Sequence, residues 1–356
     1  RPKNELKKKD YNEFYKTLSF DMEDPMDWMH TNAEGTLEYT LLFYIPKKAP
    51  MDMYRADYQP GVKLYVNKVF ITDDDKELLP TWLRFIKGVI DSSDLPLNVS
   101  REILQQNRVM AKIKSNAVKK ILDKFKSLAK NNNQYIVFYE QFGKLLKEGV
   151  YQEFEHKETL TELLRFKSSK NDGYHSLQDY VERMEKDQKA IYYITGTNET
   201  ALRQSPLLEM YQAKGVEVLI LDDEIDEIII PSIPKYKDID LKSVNRSGAA
   251  DDLKGDADKD NEKDLKPLIK KIKDVLGDKV KDVKSSNRLN DSPSCIVADE
   301  NDPTSQMQEM MKAMGQGGNM DIKPILEINP KHQIVVKLKS MRKGKSFEDI
   351  SFLLYE

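Results

Sequence analysis

A single cysteine, Cys295, among 356 residues excludes an internal disulfide framework and fits a reducing compartment. Nothing around it predicts a lowered thiol pKa, so its expected role is a small apolar residue inside a strand. Histidine is scarce too. His30, His156, His175 and His332 are scattered without metal-ligand spacing, so no metal centre is expected. There is no apolar run long enough to cross a bilayer and no signal-peptide pattern, which points to the cytoplasm and away from a membrane. Charge of one sign is also missing. Lys+Arg 57 against Asp+Glu 60 leaves a formal net charge of −3, without the basic excess of a dedicated nucleic-acid binder. Finally, neither Gly-x-x-x-x-Gly-Lys-Ser/Thr nor Gly-x-Gly-x-x-Gly occurs, so the chain carries no recognisable phosphate cradle of its own.

What is present is length and charge. The chain exceeds one average domain, and two or three are expected. Residues 10–18 form an amphipathic pattern on Tyr11, Phe14, Tyr15 and Leu18. Segments 37–45 and 62–71 read as strands, 80–90 as a short helix and 100–129 as a long one. Strands and helices mix without strict alternation, so 1–130 is expected to be a three-layer α/β unit. A helical connector should follow over 131–185, then a smaller α/β unit over 186–245, with strands at 190–195 and 216–221 and helices at 198–204 and 207–213. Residues 246–264 are rich in Asp, Lys, Gly and Asn, and read as a charged, solvated linker. Helical patterns at 265–276 and around 334–338, with strands at 280–283, 294–298 and 325–328, make 265–356 a mixed α+β domain. The whole is thus a multidomain α+β / α/β protein.

Four segments carry candidate chemistry. In 95–107 a Pro-bearing loop reaches Ser100, a residue type suited to capping a helix, and places Arg101 in the first turn. A cation there opposes the helix dipole and favours an anionic partner, and Gln105 lies on the same face as a neutral donor. That pattern suits a phosphate, although on pattern alone a helix-start arginine is more often a plain solvated or salt-bridged surface residue. Met307, Met310, Met311 and Met314 form one helical stripe before Gly315-Gln-Gly-Gly318. By spacing alone the stripe fits a packed core somewhat better than an adaptable apolar surface. Trp28, between Met26 and Met29 in an expected loop, is open in the same way between core and contact surface. The turn Gly196-Thr197-Asn198 and the acidic run Asp222-Asp223-Glu224 are weaker signals, readable as an ordinary turn and a solvated strand end.

The run Asp91-Ser-Ser-Asp-Leu-Pro-Leu-Asn-Val-Ser-Arg-Glu-Ile-Leu-Gln-Gln-Asn107 resembles the catalytic-loop signature of the heat-shock protein 90 chaperones. Tyr11-Asn-Glu-Phe-Tyr15, Phe43-Tyr-Ile-Pro-Lys-Lys-Ala-Pro-Met-Asp52, Val62-Lys-Leu-Tyr-Val66, Val69-Phe-Ile71 and Phe85-Ile-Lys-Gly-Val89 resemble that family's middle domain. Ile325-Leu-Glu-Ile-Asn-Pro330 with His332 resembles its C-terminal domain. The likeness spans nearly the whole chain in order, and is strongest to the bacterial branch. It implies a fragment holding the middle domain and most of the C-terminal dimerisation domain of an ATP-driven clamp. ATP and Mg2+ would be bound by an N-terminal domain outside this chain, so the fragment alone is expected to be inactive as an ATPase. Arg101, supported by Gln105, would reach the γ-phosphate there. Unfolded or partly folded client proteins would be the partners, contacted by Trp28, Met307, Met310, Met311 and Met314. Homodimerisation would be weakened by truncation of the last helices.

Overall fold

The computed structural model describes residues 3–73, 78–97, 107–253, 258–315 and 322–356. They divide into two compact units, 1–164 and 165–356.

In the first unit helix α1 (Lys8–Ser19) buries Tyr11 and Tyr15, the inward residues of its 3.6-residue pattern. Five strands follow: β1 (Asp27–Ala33), β2 (Tyr39–Ile45), β3 (Gly61–Val66), β4 (Val69–Thr72) and β5 (Lys87–Ser92). They form one sheet in the order β1-β2-β5-β3-β4, antiparallel except where β3 runs parallel to β5. Alternation is clean in β3 and β5, whose inward residues Val62, Leu64, Val66 and Gly88, Ile90, Ser92 are buried. Helices α2 (Arg108–Ala129), α3 (Asn132–Gln152) and α4 (Lys157–Leu163) complete the unit. Its interior is aromatic: Phe85 stacks on Phe142 at 4.2 Å and on Phe125 at 6.1 Å, with Phe138 4.9 Å from Phe125.

Three expectations are corrected here. Residues 80–90 are not a helix. A 3-10 turn at Thr81–Leu83 leads into β5, because Gly88 (φ 157°) lets the strand close against β2, where a Cβ would fall 2.2 Å from the Leu42 carbonyl oxygen. The helix expected over 100–129 is not continuous: Asn107 is extended (φ −81°, ψ 119°), its side chain accepts from the Val109 and Met110 N–H groups, and α2 begins at Arg108, while the start expected at Ser100 lies outside the described residues. Trp28 lies in β1 and not in a loop, opposite Tyr44, with its ring stacked on Tyr11 at 5.1 Å.

The second unit contains two sheets. The first has the order β6 (Lys167–Ser168), β8 (Val218–Leu221), β7 (Ala190–Thr195), β10 (Ile239–Ser243), β9 (Lys235–Tyr236). Strand β7 runs parallel to both β8 and β10, and every residue of β7 and β8 is buried, as parallel strands covered on both faces require. Short helices α5 (Leu177–Glu182), α6 (Glu199–Arg203), α7 (Glu209–Ala213) and α8 (Asp226–Ile229) connect the strands. Helix α9 (Asp258–Leu276) precedes the second sheet, β11 (Asp282–Ser285), β13 (Ile325–Ile328), β12 (Ser294–Val297). Helix α10 (Ser305–Ala313) lies between β12 and β13, and α11 (Gln333–Ser340) and α12 (Lys345–Tyr355) close the chain.

The two sheets share one core. Tyr192, Tyr211 and Val218 pack in the same cluster as Leu289, Cys295, Val297 and Ile325. Residues 244–253 are therefore not a solvated connection. Val244, Ala249 and Ala250 are buried, and Arg246 bridges to Ala298. Few apolar residues suffice here because polar groups do the joining: Arg288, itself buried, donates to the carbonyls of Val244 and Arg246 and pairs with Glu327 at 3.0 Å.

Candidate functional site

Helix α10 is the surface the methionine pattern singled out. Its start is fixed by Thr304, whose hydroxyl accepts from Met307 N–H at 3.2 Å and donates to Glu227 at 2.9 Å. The other Glu227 oxygen accepts from the Thr195 hydroxyl, at the end of β7. A buried carboxylate thus ties the helix cap to the sheet. None of the residues of α10 is buried: Met307, Met310 and Met311 are half-buried, and Met314, just past the helix end, is 57% exposed. The stripe therefore coats the unit without entering its core. Core packing, one of the two readings open in the sequence, does not describe it.

Arg101 and Gln105 lie outside the described residues. Their flanks are firmly held. On one side Asp94 accepts from the Glu38 N–H and Leu95 is buried. On the other, Asn107 caps α2. Trp28 is half-buried against Tyr11, Tyr15 and Tyr44.

The weaker signals resolve into structural roles. Asn198 caps α6 through the Ala201 N–H, and Gly196 leaves room for Leu202, which would lie 2.6 Å from a Cβ. Asp222 pairs with Lys167 at 2.8 Å, as Glu199 does. Burial alone would lower the Lys167 pKa, but these two carboxylates outweigh it and raise it above the ordinary lysine range. Among the described residues no cluster of three His, Cys, Asp or Glu side chains is placed to hold a metal. Cys295 sits buried in β12, and burial pushes its thiol far above the usual range, leaving an inert packing residue.

Several residues without a sequence signal organise this unit. Glu209 accepts the N–H groups of Asn290, Asp291 and Ser292, a ring of backbone donors of the kind that binds anions. Burial would raise its pKa, yet the Ser292 hydroxyl and those N–H groups hold it below the ordinary glutamate value. Glu217, which is buried, is held down in the same way by Arg183 and Ser168. Each pairing joins residues tens of positions apart, which no local pattern announces.

The fold is that of a multidomain α+β protein with a surface-mounted methionine helix. The family model described as "Hsp90 protein" matches residues 1–356. The chain is 58% identical over 365 residues to "Chaperone protein HtpG" of Treponema denticola, covering all of this chain and 57% of that protein. It is 53% identical to the protein of the same name in Treponema pallidum, again across the whole chain and 57% of the relative. The corresponding protein of Wolinella succinogenes is 51% identical over 99% of this chain and 58% of its own length. The chain belongs to the Hsp90 family, in its bacterial HtpG branch. It spans somewhat over half the length of these relatives.

Proposed function

We propose that this chain is the client-binding and ATPase-activating part of an ATP-dependent molecular chaperone acting in the cytoplasm as a homodimer. The observation that carries the client-binding half is the methionine stripe of α10, held by its cap and left without a buried residue. Methionine side chains are flexible and polarizable, so such a face accepts many apolar shapes, as a chaperone for varied unfolded proteins requires. The half-exposed edge of Trp28 is the second candidate contact. In the whole protein, replacing both Met310 and Met311 with Ser should weaken binding of a fluorescent, permanently unfolded protein about tenfold, measured by anisotropy. Unchanged affinity would refute this use of the helix.

The ATPase half rests on the run 91–107 together with family membership. Membership of the family implies that ATP and Mg2+ are bound by an N-terminal domain outside this chain. Arg101 contributes a permanent charge on a planar fork that matches phosphate oxygens, and Gln105 adds a neutral donor. Arginines supplied from another domain reach about 10³-fold or more in rate elsewhere. A smaller effect is expected where domain closure limits turnover. With the N-terminal domain present, Arg101→Ala should lower ATP turnover about tenfold or more and leave nucleotide affinity nearly unchanged. Unchanged turnover would favour a nucleotide-independent protein-binding scaffold instead.

A further inference from the structure

Strand β7 sits between two parallel neighbours. The chain leaves β7 towards β8 on one side and returns through β10 on the other, so the order reverses between β7 and β10. In open parallel sheets the crevice outside the carboxyl ends of such strands is where ligands bind. Here that crevice is a cavity of about 240 Å³, floored by Thr195, Gly196, Thr197 and Asn245 and roofed by the first residues of α10.

Three polar side chains of the crevice, Thr195, Asn245 and Thr304, are already satisfied. Asn245 brackets Thr195, accepting its N–H at 2.9 Å and donating to its carbonyl at 3.0 Å. Thr195 and Thr304 are both bound to Glu227. Gln306 is different. Its amide nitrogen and oxygen are shut away from water, and neither has a hydrogen-bond partner among the described residues. An unpaired amide shut away from water is unfavourable, so a small turn of this side chain into the crevice would be driven by any ligand that pairs both atoms.

The ligand must be neutral, and it must offer one donor and one acceptor. Glu227 behind the threonines and Glu309 at the rim disfavour a phosphate or carboxylate. In an extended polypeptide the N–H and C=O of one residue point to the same side, as they do towards a neighbouring strand, and a carboxamide can meet both. We infer that the crevice beside the methionine stripe binds the backbone of an extended polypeptide through the Gln306 carboxamide. Backbone recognition is indifferent to sequence, and the methionines next to it are indifferent to side-chain shape. This inference rests on the chaperone reading and adds a polar anchor to it.

The test uses the full chain and a fluorescein-labelled, end-blocked hexapeptide of alternating Val and Ser, alone or with its central N–H groups methylated. The native chain should bind the plain peptide about five- to tenfold more tightly than the methylated one, the worth of one or two hydrogen bonds. Gln306→Leu should erase that difference while leaving Tm equal or higher, since it removes an unpaired amide. Gln306→Glu, which keeps only acceptors, should behave as Gln306→Leu does. Equal binding of the two peptides by the native chain overturns the inference. So does full discrimination retained by Gln306→Leu, or no binding of the plain peptide at about 1 mM. Replacing Met310 and Met311 with Ser separates the two readings. If those changes alone weaken binding of an unfolded protein, only the crevice inference falls; if neither set matters, the client-binding reading falls with it.

Discussion

The two units of this chain are held together by different means. The first is packed mainly on aromatic rings: Phe85, Phe125, Phe138 and Phe142 form one cluster, and Tyr15 packs against Tyr44 in another. The second keeps charges within. Arg288 and Glu327 are both buried and paired, Glu217 is clasped by Arg183, and Glu209 closes a ring of backbone N–H groups. Apolar packing is non-directional and tolerates shape changes that preserve volume. Buried ion pairs are directional, and lose heavily if one partner is removed. A chain that needs one robust body and one fixed relation between two sheets can use each device where it fits.

The largest effects should come from breaking each core by its own logic. Glu327→Leu strands the Arg288 charge and should destabilise the second unit by about 3–5 kcal/mol. Adding Arg288→Met should recover most of that loss, because replacing a buried pair with apolar groups is often neutral. Phe142→Ala in the first unit should cost about 3–5 kcal/mol with no comparable rescue. Two calorimetric transitions, each moved by one set of variants, would sustain the contrast; rescue failing in the second unit would end it.

Acid offers a gentler probe. Glu209 and Glu217 have folded pKa values below their unfolded ones, so their stabilisation is present above the unfolded value of about 4.3 and is lost as pH falls through the folded values. The second unit should therefore weaken between about pH 5 and pH 3, and Glu217→Gln should flatten that slope. In the first unit the depressed carboxyls, Glu23 and Asp24, are exposed ones paired with surface lysines, so its acid slope should fade in salt. Equal, salt-insensitive slopes would contradict the comparison. Smaller still is Thr304→Ala, which removes the cap of α10 at about 1 kcal/mol. Hydrogen exchange should rise in α10 and leave β7 protected; uniform change across the unit would show that the cap does not act locally.

How much of this was legible follows from the range of each interaction. Helix α1 was readable because Tyr11 and Tyr15 recur on one face, and β7 because Ala190 to Ile194 is an unbroken run of apolar and aromatic residues. The methionine stripe was visible as a stripe, but its exposure depended on what lies beneath it. Residues 80–90 misled because Gly88 meets β2 more than forty positions away, and a local pattern does not carry that pairing. Residues 246–253 looked solvated since their anchors are few and polar: Arg246 and Ser247 are held by residues near 300.

The sequence by itself determined the family, through runs whose residue order is specific, and the main helices and strands, through periodicities that depend only on neighbours in the chain. It also pointed to Arg101, Gln105 and the methionines as the residues to test. Tertiary structure alone decided that 244–253 joins a core, that Trp28 stacks on Tyr11, that Thr304 reaches Glu227 and that the Gln306 amide is left unpaired. The reason is physical. Burial and hydrogen-bond pairing are settled by groups that are close in space and distant in sequence, where the periodicity of a single segment carries no information.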